Sequence, residues 1–161
     1  MIATVHMLAG ASAGVKSKSI FLALFAGLLS HYILDAVPHL DAINAIHAWN
    51  IHSWSLIILD IIIGAIVGMY FWIRHHEFPK ISMFTLGAVG GLLPDILDSQ
   101  PFWAEAIGRL PVLGKIQLFH HFMNGFPVQY FPMPQWAILG IITQILVVMI
   151  SLKILTTPNV K

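Results

Sequence analysis

Apolar residues run almost without interruption through 2–15, 20–36, 54–73, 81–97 and 136–155, with most charged residues gathered between the runs. Each run reads as a helix. The two longest, 54–73 and 136–155, hold 20 residues each. At 1.5 Å rise per residue they match a hydrocarbon core of ~30 Å. The segments 20–36 and 81–97 have 17 residues each, the lower limit for a span. The run 2–15 is shorter and is expected to cross only in part. These last three are rich in Gly and Ala, which lets helices approach closely within a membrane. The pattern predicts an all-α fold, an integral membrane bundle of about five helices forming one unit over residues 1–161. Ala11-Ser12-Ala13 resembles a signal-peptidase site, but no Lys or Arg precedes it and the run contains His6. A cleaved signal normally begins with positive charge, so 2–15 is read as a retained helix.

Composition strengthens this picture. The chain is 58% hydrophobic and 9% charged, with a mean hydropathy of +0.83, whereas soluble domains carry about 25% charged residues. The net charge is +1, and no basic stripe is present to recognise nucleic acid. The expected partner is the lipid bilayer. There is no cysteine, so disulfides and thiolate metal sites are excluded. Any metal must use His, Asp or Glu, and nine histidines stand against seven carboxylates.

Charge also orients the chain. With alternating spans, Lys16, Lys18, Arg74, Lys80, Lys153 and Lys161 fall on one side, which the positive-inside rule makes cytoplasmic. Trp49, Trp54, Trp103 and Trp136 cluster on the other, as an interfacial belt does. The C-terminus is therefore expected inside, with segments 37–53 and 98–135 outside.

Helical rise then sets depth. Counted from the cytoplasmic side, Asp35 lies about 22 Å up its helix and Asp95 about 21 Å up its own. Asp60 and His6, counted down from the outer side, lie about 6–9 Å below that surface. His31 shares the face of Asp35, one turn deeper, because side chains at i and i+4 align. His39, Asp41 and Asp98 fall just above this layer. Asp60 has aliphatic neighbours and reads as a packing group or a support for a histidine. His47 and His52 read as solvated loop residues, and His75 and His76, next to Arg74, as interfacial.

His6, His31, Asp35, His39, Asp95 and one of His120 or His121 make too many buried ionisable groups for chance. Without a shared cation the carboxylates would repel or take up protons. Imidazoles and carboxylates together favour zinc or a similar divalent ion. The donors exceed one tetrahedral site, so two or three ions with a bridging aspartate are expected. The chain also echoes itself: Gly27-Leu28-Leu29 leads to His31, Asp35 and Pro38, and Gly91-Leu92-Leu93 leads to Asp95, Asp98 and Pro101.

The early His6, the stretch GLLSHYILDAVPHLD and the stretch GLLPDILD together resemble the membrane-bound metal-dependent hydrolases related to zinc-dependent phospholipase C. The resemblance covers 6–41 and 91–98, and reaches the rest only through Phe119-His120-His121. The L-P-D element here follows the S-H-x-x-x-D helix, the reverse of the bacterial membrane members, and their H-R-G-x-T-H segment has no clean counterpart. The resemblance implies an all-helical core around a zinc cluster, with His6, His31, Asp35, His39, Asp95 and His120 or His121 as ligands and Asp35 bridging. It implies cleavage of a phosphoester, a phospholipid-like substrate suiting a site at the outer face of a prokaryotic plasma membrane. Asp98 or Asp41, beyond the ligands, would orient the attacking water or act as base. The segment 102–130 is expected to be a lid, a lipid-contacting piece or a long connection. The rival reading is a divalent-cation or proton transporter, for which the inner halves offer only Thr143 and Gln144 near mid-depth. A third is a metal-stabilised scaffold without catalysis.

Overall fold

The computed structural model describes residues 2–39, 51–74, 80–98, 103–130 and 135–157, and every regular element among them is helical. The order is α1 (Ala3–Val15), α2 (Ile20–Asp35), α3 (Ile51–Arg74), α4 (Lys80–Leu97), α5 (Ala104–Gly108), α6 (Leu113–Tyr130) and α7 (Gln135–Thr156). Five of these correspond to the apolar runs. The other two, α5 and α6, lie in the long connection where no apolar run of spanning length occurs. Three helical stretches are long and apolar enough to cross a membrane, Ser55–Arg74, Lys80–Leu97 and Ala137–Thr156, while α1 and α2 are apolar but shorter.

The core is built where α1, α2 and α4 meet, and glycine makes that meeting close. A Cβ on Gly87 would collide with the Gly10 carbonyl of α1, and one on Gly91 with the carbonyl of His6. Gly27 of α2 stands equally close to the Gly87 carbonyl, so both neighbours rest on one glycine face of α4. Small residues let backbones touch, and dispersion and weak polar contacts then act over the whole crossing. The pairing also fixes direction. Gly10 meets Gly87 and Gly91 while Gly14 meets Met83 and Gly87, so α1 runs antiparallel to α4. Gly90 packs against Leu24 and Leu28, and His31 reaches Gly91, so α2 runs parallel to α4.

Helix ends follow local chemistry. Ser19 caps α2, its side-chain oxygen accepting the Leu22 N–H at 3.3 Å. Pro38 lies just past the last turn of α2, where it cannot continue a helix. Pro94 sits inside α4 and is buried.

Toward one end of this core, Leu8, Ala11, Phe71, Phe84 and Leu155 form a buried apolar cluster drawn from α1, α3, α4 and α7. The outward faces of α3 and α7 remain apolar and exposed, with Ile61, Ile66, Met69, Ile145 and Met149 each more than half accessible. Toward the other end, the C-terminal turns of α2 and α4 and the start of α1 come together under α6. That end is polar.

Candidate metal centre

Asp35, the last residue of α2, is fully buried, and three imidazoles surround it. His6 Nε2 lies 3.3 Å from Oδ1, while His31 Nε2 and His120 Nε2 lie 3.0 Å and 3.3 Å from Oδ2. Asp95 on α4 stands beside them, its Oδ1 at 3.8 Å from His31 Nε2 and 3.4 Å from His120 Nε2. The His6 and His31 rings stack with centroids 4.0 Å apart and planes 25° apart. Among the described residues, two overlapping groups could hold a metal ion: His6, His31 and Asp95, and His31, Asp35 and His120. In each group the donor atoms lie within 4.8 Å of one another.

The proton positions implied by the surroundings sharpen the chemistry. His31 Nδ1 is 2.7 Å from the Gly91 carbonyl, an acceptor only, so Nδ1 carries the hydrogen. In a neutral ring, Nε2 then turns a lone pair toward the carboxylates. His120 is held in a similar way: Nδ1 faces Asp98 Oδ2 at 3.1 Å, and Nε2 faces inward, 2.9 Å from the Asn124 side-chain amide. Both oxygens of Asp35, both ring nitrogens of His6 and His31 Nε2 are buried without a hydrogen-bond partner among the described residues. With Nδ1 carrying the hydrogen, the neutral His31 turns an Nε2 lone pair to Asp35 Oδ2 at 3.0 Å. Buried polar atoms are rarely left so, and a cation between imidazole and carboxylate would satisfy both. The donor set, imidazole nitrogen with carboxylate oxygen and no sulfur, fits zinc or a similar divalent ion.

A cation of either kind, proton or metal, answers the charge. Burial works against the charged form of the His120 ring, but the adjoining Asp35 and Asp95 carboxylates outweigh it and raise its pKa to about 10. Metal binding must displace that proton.

An outer layer orients the donors. Asp98 Oδ2 meets both His120 Nδ1 and His121 Nε2, the latter at 2.6 Å, and Oδ1 accepts from Gln117 Nε2 at 2.6 Å. Gln117 also donates to the Ala104 carbonyl, which ties α6 to α5. A carboxylate behind a metal-binding histidine fixes its tautomer and raises its basicity. Tyr32 stands edge-on to His31 at 5.7 Å and to Phe119 at 4.9 Å, walling the centre toward α6.

The structure thus brings His6, His31, Asp35, Asp95 and His120 to one point. It places Asp98 one layer out, and His121, 57% exposed, on Asp98 and away from both donor groups. His39 is buried just past α2, with Nδ1 2.8 Å from the Val37 carbonyl, and belongs to neither group. Asp41 lies outside the described residues, as do His47, His75 and His76. Asp60 does not reach the centre; its carboxylate accepts the Ala3 and Thr4 N–H groups at the start of α1. Sequence reasoning passed over Tyr32, Gln117 and Asn124. The last two sit three residues before and four after His120, the spacing of one helix face.

Searches against protein-family models, curated proteins and solved structures return no match to this chain.

Proposed function

We propose that the chain is a membrane-embedded, divalent-metal-dependent hydrolase of phosphoesters, with zinc as the metal and a lipid-like phosphoester as substrate. The observation that carries the metal is the buried convergence of imidazole nitrogens on Asp35 and Asp95, in which His31 turns an Nε2 lone pair to the carboxylate. The resemblance to the hydrolases related to zinc-dependent phospholipase C supports the chemistry. In this reading α1 to α4 and α7 form a bundle in the bilayer, and the centre lies toward its outer face.

His6, His31, Asp35, Asp95 and His120 would hold the metal, with Asp35 placed to bridge two ions. A bound ion supplies Lewis acidity and lowers the pKa of a water to about 7. The chain's own residues do the rest. Gly91 and Asp98 hold His31 and His120 in the tautomers that aim Nε2 inward. Asp95, with about a third of its side chain accessible, marks the open side of an otherwise buried centre. Asp98, joined to His120 and the exposed His121, stands where a proton can pass between centre and solvent. Tyr32 and Phe119 exclude water from the wall they form.

The packed aliphatic and aromatic cluster of the other half supports a one-sided site over a through-going ion path. The test is to purify the chain in detergent, measure metal per chain, and assay phosphodiester and phosphomonoester hydrolysis. Wild type is expected to carry zinc and turn over, and Asp35→Ala and His31→Ala to lose both. A metal-free wild type defeats the reading. Bound zinc without turnover on any ester leaves a metal-stabilised scaffold, and zinc uptake into sealed vesicles a transporter.

A further inference from the structure

The three histidines of the centre are not held in the same way. His31 is oriented by the Gly91 carbonyl and His120 by Asp98. His6 has no hydrogen-bond partner on either ring nitrogen among the described residues. Its ring is placed by stacking on His31, by the approach of Nε2 to Asp35 and by the backbone that carries it. What seats that backbone is therefore part of the centre.

The start of α1 lacks a cap of its own. The residue before the helix is Ile2, whose side chain accepts nothing, although a helix leaves its first four N–H groups without intrahelical partners. Here each finds one. Val5 and His6 N–H groups reach the Ile2 carbonyl at 3.1 Å and 3.5 Å. Ala3 N–H donates to Asp60 Oδ2 at 2.7 Å, and Thr4 N–H to both oxygens at 3.2 Å and 3.3 Å. The Thr4 hydroxyl donates to the Asp60 backbone carbonyl at 2.9 Å. A carboxylate 57 residues away thus does the work of an N-cap, and its charge complements the positive end of the helix dipole. Gly64, one turn along α3, leaves the room: a Cβ there would come 2.9 Å from Thr4 Oγ1.

We propose that Asp60 is a positioning residue for His6, setting the axial height and rotation of α1 so that Nε2 meets Asp35. The inference rests on the metal reading above. Asp60 touches no donor of the centre and acts through the first turn of α1. An unsatisfied N–H is costly away from water, so without Asp60 the first turn frays or shifts toward water, and His6 moves with it.

The test is a double-mutant cycle on the full chain in detergent, with zinc ion as the probe. Asp60→Ala is expected to weaken zinc binding about 10- to 100-fold, the usual loss for an outer-layer partner. In a His6→Ala background the same change is expected to alter affinity less than about 2-fold, because contributions acting through one contact are not additive. Asp60→Asn, which keeps an acceptor oxygen, should recover most of the loss, and it carries the cycle if Asp60→Ala does not fold. Amide exchange at Ala3 and Thr4 should quicken in Asp60→Ala with or without zinc. Equal losses in both backgrounds, or no loss in the wild-type background, overturn the inference while leaving the metal centre standing. A wild type that takes up no zinc removes the metal reading and this role together.

Discussion

Along α1, Leu8 and Ala11 pack with Phe71, Phe84 and Leu155, and half a turn earlier His6 stacks on His31 and faces Asp35. The first group gains stability from every atom it buries. The second buries nitrogen and oxygen lone pairs against one another and is unfavourable until a cation joins it. Both ends share the backbones of α1 and α4, held at one spacing by the glycine face of α4. The difference teaches that a fold can carry a costly polar cluster when its apolar end and its backbone contacts are secured independently.

The largest expected effect comes from the element both ends share. Gly91→Leu would drive a side chain into the His6 carbonyl and the Gly10 backbone, so loss of the folded monomer is expected on size exclusion, with zinc binding lost too. If folded protein with bound zinc is recovered, the shared-backbone argument is wrong. Next, Phe84→Ala and Leu155→Ala should each lower unfolding free energy by about 2–5 kcal/mol. Zinc per folded chain should stay at the wild-type value, and a parallel fall would break the separation of the two ends.

Asp35→Asn should act on the centre directly. It removes the central charge, so zinc should be lost, and the zinc-free protein should also lose stability, because one of the two carboxylates paired with the His120 ring is gone. Denaturant titration with and without chelator reads both.

A smaller effect follows from His120, whose pKa rises from 6.5 to about 10 in the folded chain. A raised folded pKa gives stability that is full below about pH 6.5 and fades as pH rises through about 10. Chelated wild type should show that slope, and His120→Ala should not. Zinc binding at pH 7 should release about one proton from this ring, seen as a buffer-dependent heat. The smallest change is expected from His121→Ala. Its ring is largely exposed and meets only the outer carboxylate, so zinc affinity should move less than the ~10-fold typical of an outer-layer partner.

The chain announced one part of this plainly and hid another. Long apolar runs made α3, α4 and α7 legible, and helical rise alone brings His6, Asp35 and Asp95 to one depth. The helix α6 stayed hidden because Lys115, Gln117, His120, His121 and Asn124 break its apolar pattern, and of these Gln117, His120 and Asn124 turn toward the centre. The choice between His120 and His121 needed the rotation of that helix. Asp60 was legible as a packing group or a support for a histidine, but not as a cap: a cap normally sits within a residue of the helix it serves, and here it arrives from another helix.

The glycine face of α4 also imposes an order on synthesis. The ribosome delivers α1, α2 and α3 before residue 80, and until α4 follows, Gly10 and Gly27 have nothing to close upon. His31 meanwhile lacks the Gly91 carbonyl that sets its tautomer. A nascent chain can therefore have α1 capped early, yet the candidate centre is complete only once α4, and then the histidine on α6, have been made.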